Sequence, residues 1–385
     1  MSLKSEILTL TISNDDRTID IPLFNLYNVI LRNRIDAIGI HLELLIDDNT
    51  DIKSMLPIKG GEIIQLTVID AHGNQIDKEF KIINYKNVNN NSDNINPLYL
   101  EAIEKEGFEL LYTRKYQNFN NKKISEVLVD LLPKNSDIEE TKNKINMSNP
   151  SWTINKFIQK LTDRAINKED KISFLFYQDY DNFHFKSLDT IIDEASESVN
   201  DYVFDNYNPS YRYNVLDWRE TTTPNYLDDQ THNITNNEYI AYNPDAKDFK
   251  KVEVKYNDVE NTKLGKGNNQ PKESLDRENK KVTIVDYYGE DDIENVIKND
   301  TIFKSYNKKY ELLCNFDINL KVGSLVNLLI PTKYDNTELN QVYAGKWLVS
   351  KVAHQFNLST AHTKVEVIRN ASYNDENKSV GKVVE

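Results

Sequence analysis

The spacing of apolar positions changes period along the chain. Ile7-Leu8-Thr9-Leu10-Thr11-Ile12 interleaves apolar residues with threonine, the period of a half-buried strand. Ile63-Ile64-Gln65-Leu66-Thr67-Val68-Ile69 is β-branched and follows Gly60-Gly61. Asp70-Ala71-His72-Gly73-Asn74 then reads as a turn, and Phe80-Lys81-Ile82 opens a return strand. An Asn-rich loop, Asn87 to Asn96, precedes Leu98-Tyr99-Leu100-Glu101-Ala102. Together these predict a small antiparallel barrel or sandwich with one wet face.

A helical period follows. Ile124, Val127, Leu128 and Leu131 stand at i, i+3, i+4 and i+7, with Asn120 and Asn121 as expected caps and Pro133 as a stop. A second helix from about Ser151 carries the stripe Ile154, Phe157, Ile158, Leu161 and Ala165. Ile172 to Tyr177 and Phe183 to Phe185 then read as paired strands, so the middle region is α+β. Asp245 to Lys281 is charged and weakly patterned, a long surface excursion. A third helix is expected to start at Gly289-Glu290-Asp291-Asp292 and to end near Lys308-Lys309, charges suited to its dipole. Strands return at Ser324 to Ile330, Trp347 to Ala353 and Thr363 to Arg369.

One internal echo crosses these regions. Lys59-Gly60-Gly61-Glu62-Ile63-Ile64-Gln65-Leu66 recurs as Lys321-Val322-Gly323-Ser324-Leu325-Val326-Asn327-Leu328. Both read Lys-x-Gly-x-apolar-apolar-amide-Leu. So short a match arises by chance or by duplication; a duplication implies two similar β-domains around a different middle.

Composition narrows the function classes. The chain has 385 residues, with 47 Lys+Arg against 61 Asp+Glu, a formal charge of −14. That balance disfavours a general phosphate-binding surface. Hydrophobic residues are 39% of the chain, low for one compact enzyme, but 22 Tyr and 14 Phe argue against disorder. The single cysteine, Cys314, excludes an intrachain disulfide and fits a reducing compartment. No apolar run has the ~18 residues a membrane-spanning helix needs, and the N-terminus reads as a strand, not a signal peptide.

Candidate chemistry is sparse. Asp179 and Asp181 sit in a hairpin connection and Asp291 and Asp292 in a helix first turn, both places that favour acids for local reasons. Asp47-Asp48-Asn49-Thr50-Asp51 opens like a calcium loop, but Ile52 and Ile58 stand where glycine and glutamate are required. His41, His72, His184, His232, His354 and His362 form no metal-binding spacing, although His354 and His362 flank one expected hairpin. Gly265-Lys266-Gly267 lacks the phosphate-loop spacing. Cys314 has no cationic neighbour in sequence and reads as an inert, partly buried thiol.

An ordered set of motifs resembles the baseplate hub protein of T-even-type contractile-tailed bacteriophages. It comprises Gly60 to Val68; Trp152-Thr153 leading through Phe157 and Leu161 to Phe174-Leu175-Phe176-Tyr177-Gln178-Asp179; then Asn315 to Gly323, Trp347 to His354, and Val367-Ile368-Arg369-Asn370-Ala371. The segments Ile19 to Ser54 and Asp245 to Lys281 match poorly.

The resemblance implies an α+β, mainly β chain: two similar antiparallel tube-type β-barrels and a lateral α/β domain, forming a trimeric pseudo-sixfold ring. The expected boundaries are 1–115 for the first barrel and 116–205, with 240–300, for the lateral domain. The second barrel takes 206–239 and 301–370, with 371–385 as a tail. Gly61 and Gly323 become equivalent turn glycines; Trp152, Trp347 and His354 are structural motif positions, and no catalytic residue, cofactor or metal is implied. The implied partners are two further copies, the tail spike, tail-tube or tube-initiator proteins and tape-measure protein. DNA passes through the channel without specific binding. The implied place is the virion, after assembly in the host bacterial cytoplasm. The −14 balance adds the expectation of a carboxylate-lined wall that lets DNA slide. The alternative from another class is a carbohydrate-active or polysaccharide-binding protein using the acidic pairs and surface tyrosines.

Overall fold

The computed structural model describes residues 6–48, 52–87, 97–204, 211–222, 237–243, 247–254, 264–265, 282–286, 293–332, 338–357, 359–371 and 373. Positions 88–96 of the Asn-rich loop, most of the 245–281 excursion, His232, Asp291, Asp292 and the tail beyond Tyr373 lie outside them.

The first half is built on strands β1 (Glu6–Ser13), β2 (Thr18–Asp20), β3 (Leu26–Arg34), β4 (His41–Asp47), β5 (Ile63–Ile69), β6 (Gln75–Asn87) and β7 (Pro97–Glu104). A one-turn helix α1 (Ile52–Met55) links β4 to β5. The β5–β6 hairpin closes on Asp70, whose carboxylate accepts the backbone N–H groups of His72 and Asn74, each at 2.8 Å. Alternation is strict where one face is wet: Leu42, Leu44 and Ile46 are buried while Glu43 and Leu45 are half-buried on the opposite face.

The lateral unit contains α2 (Lys105–Tyr112), β8 (Gln117–Lys123), α3 (Ile124–Leu131), β9 (Asp137–Ile138), β10 (Lys144–Asn149), α4 (Ile154–Thr162), β11 (Phe174–Gln178), β12 (Phe183–Ser187) and α5 (Leu188–Ala195). Its core gathers Phe119, Ile124, Val127, Leu128, Phe157, Ile158, Leu161, Phe176 and Phe185. Ile38 and Leu110, both inside 1–115, also lie in this core. The cap of α3 is not an asparagine. Asn120 and Asn121 belong to β8, and the N–H of Lys123 is met instead by the Glu126 carboxylate at 2.9 Å. For α4 the Thr153 hydroxyl accepts from the N–H of Lys156, an ordinary side-chain N-cap.

The second half comprises β13 (Asn200–Val203), β14 (Val215–Thr222), β15 (Asn237–Asn243), β16 (Asp248–Val254), β17 (Val282–Asp286), α6 (Ile293–Lys304), β18 (Lys308–Asn315), β19 (Leu325–Leu329), β20 (Gly345–Phe356) and β21 (Ala361–Arg369). Lys308 and Lys309 start β18 and do not end the helix, which stops at Lys304. From the 240–300 segment, Ala241, Leu264 and Ile297 bury in the core of this half, together with Tyr239, whereas Asn299 donates to the Asp163 carbonyl of the lateral unit at 2.6 Å.

The fold is mainly β and antiparallel. One 13-stranded sheet runs β14-β18-β21-β20-β3-β4-β7-β6-β5-β1-β2, with β19 joining β20 and β13 joining β19. It crosses from one half to the other where β20 pairs with β3. Among the described residues the sheet does not close on itself, so no closed barrel is found in either half, and each half has its own core.

The eight-residue echo marks a repeat of topology. The order β5-β6-β7-β4-β3 in the first half is repeated as β19-β20-β21-β18-β14 in the second, in the same chain order. The registers agree as well. Ile63 faces Lys81 as Leu325 faces Leu348, and Leu66 faces Lys78 as Leu328 faces Gly345. Glu43 faces Glu101 as Glu311 faces Glu366. Some irregularities coincide too: β3 skips Tyr27 where β14 skips Leu216, and β6 and β20 skip Ile83 and Ser350, although β14 has a second shift at Thr221 that β3 lacks. The first strand breaks the match, since β1 runs antiparallel to β5 and β13 parallel to β19.

Candidate functional site

Among the described residues no group of three or more His, Cys, Asp or Glu side chains is placed to hold a metal ion, and no helix is long and apolar enough to cross a membrane. The features that invite a function are the repeated turn, the junction between halves, and the open face of the sheet.

Each turn is built around its glycine. Gly61 has φ +97° and Gly323 φ +82°, the left-handed region that side chains disfavour. The N–H of Gly61 donates to the Ile82 carbonyl at 2.8 Å, and that of Ile82 to the Glu62 carbonyl at 2.9 Å. The N–H of Gly323 donates to Val349 at 3.0 Å, and that of Val349 to Ser324 at 2.9 Å. The same two bonds thus lock the same turn against the same neighbouring strand. The next side chain folds back in both: Glu62 accepts from the N–H groups of Lys59 and Gly60, and the Ser324 hydroxyl donates to the Lys321 carbonyl.

Trp347 is fully buried in the second core, and its indole N–H donates to the Tyr343 carbonyl at 3.0 Å. The guanidinium of Arg369, also fully buried, lies over that indole and donates to the carbonyls of Ala344, Val342 and Ala371. Nothing in the local sequence marks this arginine as internal; its burial follows from two backbone acceptors in the turn before β20 and a third, Ala371, just past β21. Trp152 stands apart on the lateral unit, half-buried, with Lys156 over its ring.

His354 lies at the junction. It pairs with Leu31 across β20 and β3, is fully buried, and is hydrogen-bonded through Nδ1 to the Thr363 hydroxyl at 2.9 Å. Its ring packs on Tyr180 from the lateral hairpin and edge-on to Phe316. Burial pushes its pKa down to about 3, so it is neutral at ordinary pH. His362, half-buried on β21, sits opposite Gln355 in the ladder, so it and His354 occupy opposite faces.

The acidic pair of the lateral hairpin does not face a cleft. Asp179 is buried, accepting the N–H groups of Asp181 and Asn182 at 2.8 Å each. Burial opposes its ionisation, but His184 at 3.2 Å and those N–H groups hold its carboxyl at about 2. Asp181 pairs with Lys321, whose ammonium also lies 4.0 Å from the Asp179 carboxylate. Asp179 shapes the turn, and one lysine serves both carboxylates. Cys314 is fully buried, more than the sequence led us to expect, and burial pushes its thiol up to about 12.

The sheet face opposite the cores runs continuously across the junction. It carries Arg32–Glu43 at 2.8 Å, Arg219–Glu311 at 2.9 Å, Lys351–Glu366 at 2.9 Å and the close pair Lys364–Glu311. Arg34 holds Asp36 at its margin. A depression of about 530 Å³ opens there, lined by Arg32, Arg34, His41, Glu311, Lys351, Lys364 and Glu366. Acids and bases are interleaved on this face, so it carries ion pairs and not a run of carboxylates.

No family model and no curated protein matches the sequence. The fold has clear neighbours among solved structures. The tail protein from Neisseria meningitidis aligns with a TM-score of 0.58 at 8% identity, over 96% of this chain and 98% of that one. The 43 kDa prophage tail protein from Shewanella oneidensis gives 0.52 at 10% identity, over 94% and 98%. The class of fold is therefore that of phage tail proteins, along nearly the whole chain. The resemblance to tail proteins read from the sequence is borne out at that level.

Proposed function

We propose that this chain is the structural hub of a contractile phage-tail baseplate, with no catalytic role. Three copies form a ring in which each chain supplies two equivalent tube-type modules, residues 1–115 and 206–239 with 301–370. A threefold object with six similar modules meets a threefold spike on one side and a sixfold tail tube, or its initiator, on the other. Tape-measure protein and DNA pass through the centre. Its place is the virion, after assembly in the host bacterial cytoplasm.

The observation that carries this reading is the register-matched repeat: five strands in the same order, with two bulges at matched positions, twice in one chain. A pseudo-sixfold ring of three chains requires such a pair of modules. In this reading the ion-paired sheet face lines the channel, and its mixed charge offers phosphate neither a trap nor a barrier.

Native mass measurement on the purified chain, alone and with its spike partner, combined with electron microscopy, tests the proposal. The expected result is a threefold ring with a central pore. A chain that stays monomeric in both conditions, or assembles without a pore, overturns it.

A further inference from the structure

We propose that the depression at the junction is a binding site for a compact oxyanion of the phosphate type, held between Arg32 and Arg34 of the first half and Lys351 and Lys364 of the second. This goes beyond the hub reading and does not depend on a ring.

The strand registers build the site. Arg32, Ala353 and Lys364 stand side by side across β3, β20 and β21 on the open face. The methyl group of Ala353 leaves a gap between two long cationic side chains, and Ala353 lines the depression of about 530 Å³. Arg34 and Lys351 face each other two residues along and share that face, so cations flank the gap on both sides of the seam. The repeat shows that the gap is particular to the junction. In the first half the positions of Ala353 and Lys364 are taken by Lys86 and Tyr99, and the lysine lies over that ring at 4.5 Å.

The donors are held in place and only partly used. The guanidinium of Arg32 meets Glu43 through Nε and Nη2, and that of Arg34 meets Asp36 through the same two atoms. Among the described residues the Nη1 group of each has no acceptor. Charge points the same way. Lys351 takes Glu366, whereas Glu311 serves both Arg219 and Lys364, so five bases share four carboxylates. Lys364 registers the excess: desolvation lowers its pKa, and the nearby Arg219 and Arg32 lower it further. A planar carboxylate offers its acceptors in one plane, while a tetrahedral phosphate accepts from arginines on one flank and lysines on the other. Duplex DNA is too broad to enter the gap and meets the rim, where Glu43, Glu311 and Glu366 offset the bases. An oxyanion seated at Ala353 ties the two halves together across the β3–β20 seam.

Titration calorimetry with inorganic phosphate tests the site in the full-length chain, with sodium chloride adjusted to hold the ionic strength constant. The expected result is saturation at one phosphate per chain, with an unfolding temperature that rises as phosphate is added. Ala353→Leu fills the gap without changing charge and is expected to lose both effects. Lys364→Gln removes one cation and is expected to weaken binding about tenfold or more. Unfolding in chloride alone shows whether each variant folds, and if one does not, the other decides. A short DNA duplex at the same phosphate content is expected to give no saturable heat. A parent chain that shows no saturable phosphate binding overturns the proposal. So does an equal rise in unfolding temperature for the parent and Ala353→Leu, since phosphate stabilises folded chains in general. Binding of the duplex without binding of free phosphate assigns the face to the DNA backbone and overturns the proposal as well. The hub reading stands or falls separately, by native mass.

Discussion

Gly61 and Gly323 hold equivalent turns, yet their surroundings set different penalties for a side chain. A Cβ at Gly61 meets nothing nearer than the end of Lys81 at 4.0 Å, so Gly61→Ala pays for backbone conformation alone, about 1–2 kcal/mol. At Gly323 the same atom lands 2.8 Å from the Tyr177 hydroxyl and near Ile191, adding about 1–3 kcal/mol of overpacking. Urea unfolding of the two alanine variants is expected to rank Gly323→Ala clearly below Gly61→Ala. His354 gives a prediction in pH. Its folded pKa near 3 lies below the ordinary value of about 6.5, so the unfolded chain binds the extra proton between them. Stability from this group is intact above about pH 6.5 and is lost on acidification, at up to ~1.4 kcal/mol per unit. The carboxylate of Asp179, held near 2, does not contribute until lower pH, whereas His41, whose pKa burial also lowers, adds in the same window. Unfolding free energies at pH 7 and 4.5 are expected to differ less in His354→Phe than in the parent. An unchanged difference would mean that the ring is not buried neutral.

Among the elements, β11 ties the lateral unit to the first half through one side chain. Gln178 accepts the N–H of Gly39 at 3.0 Å and donates to Glu104 at 2.8 Å, the residue whose carboxylate caps α2 at the N–H of Gly107. Gln178→Met keeps the volume and leaves those buried groups without partners, an expected loss of about 1–3 kcal/mol by denaturant midpoint. A change under about 0.5 kcal/mol, the low end for a single hydrogen bond, would show that the tie is incidental. The sequence made much of the element list legible. Strands β1, β5, β6 and β7 stood out because their β-branched or alternating runs sit between turn residues, and α3 and α4 because four apolar residues share one face. The strands β3 and β4 were hidden. Ile30 and Leu45 place apolar residues on the wet face and Asn33 a polar one on the buried face, which blurs the alternation of both strands. The lysines at 308–309 looked like a helix end because charge alone was read there; Tyr310 and Leu312 alternate beyond them and bury as a strand. The junction was invisible. It pairs residues more than three hundred positions apart, and no local pattern specifies which edge meets which.

Over the whole molecule, the repeat places Glu43, Glu101, Glu311 and Glu366 at matched positions on the open face, where they offset the neighbouring arginines and lysines. Replacing all four with glutamine is expected to leave that face basic. The variant should then bind short double-stranded DNA with a steep salt dependence that the parent lacks, read by fluorescence anisotropy across salt concentrations. Equal binding by both would remove the face from any account of DNA passage. The matched bulges carry a further consequence, for how such a chain diverges. A strand that gains or loses one residue sends every later side chain to the opposite face. Between Val349 and Phe356 a single deletion would therefore turn Val352 and Phe356 out of the core and misalign the junction with β3 at once. The hairpin tips carry no such penalty: five residues separate β5 from β6, whereas fifteen separate β19 from β20. Inherited change in the two modules is thus free to rewrite side chains and lengthen tips. It must keep the count within the ladders, which is why the kinship of the halves survives in register long after it has faded from the residues.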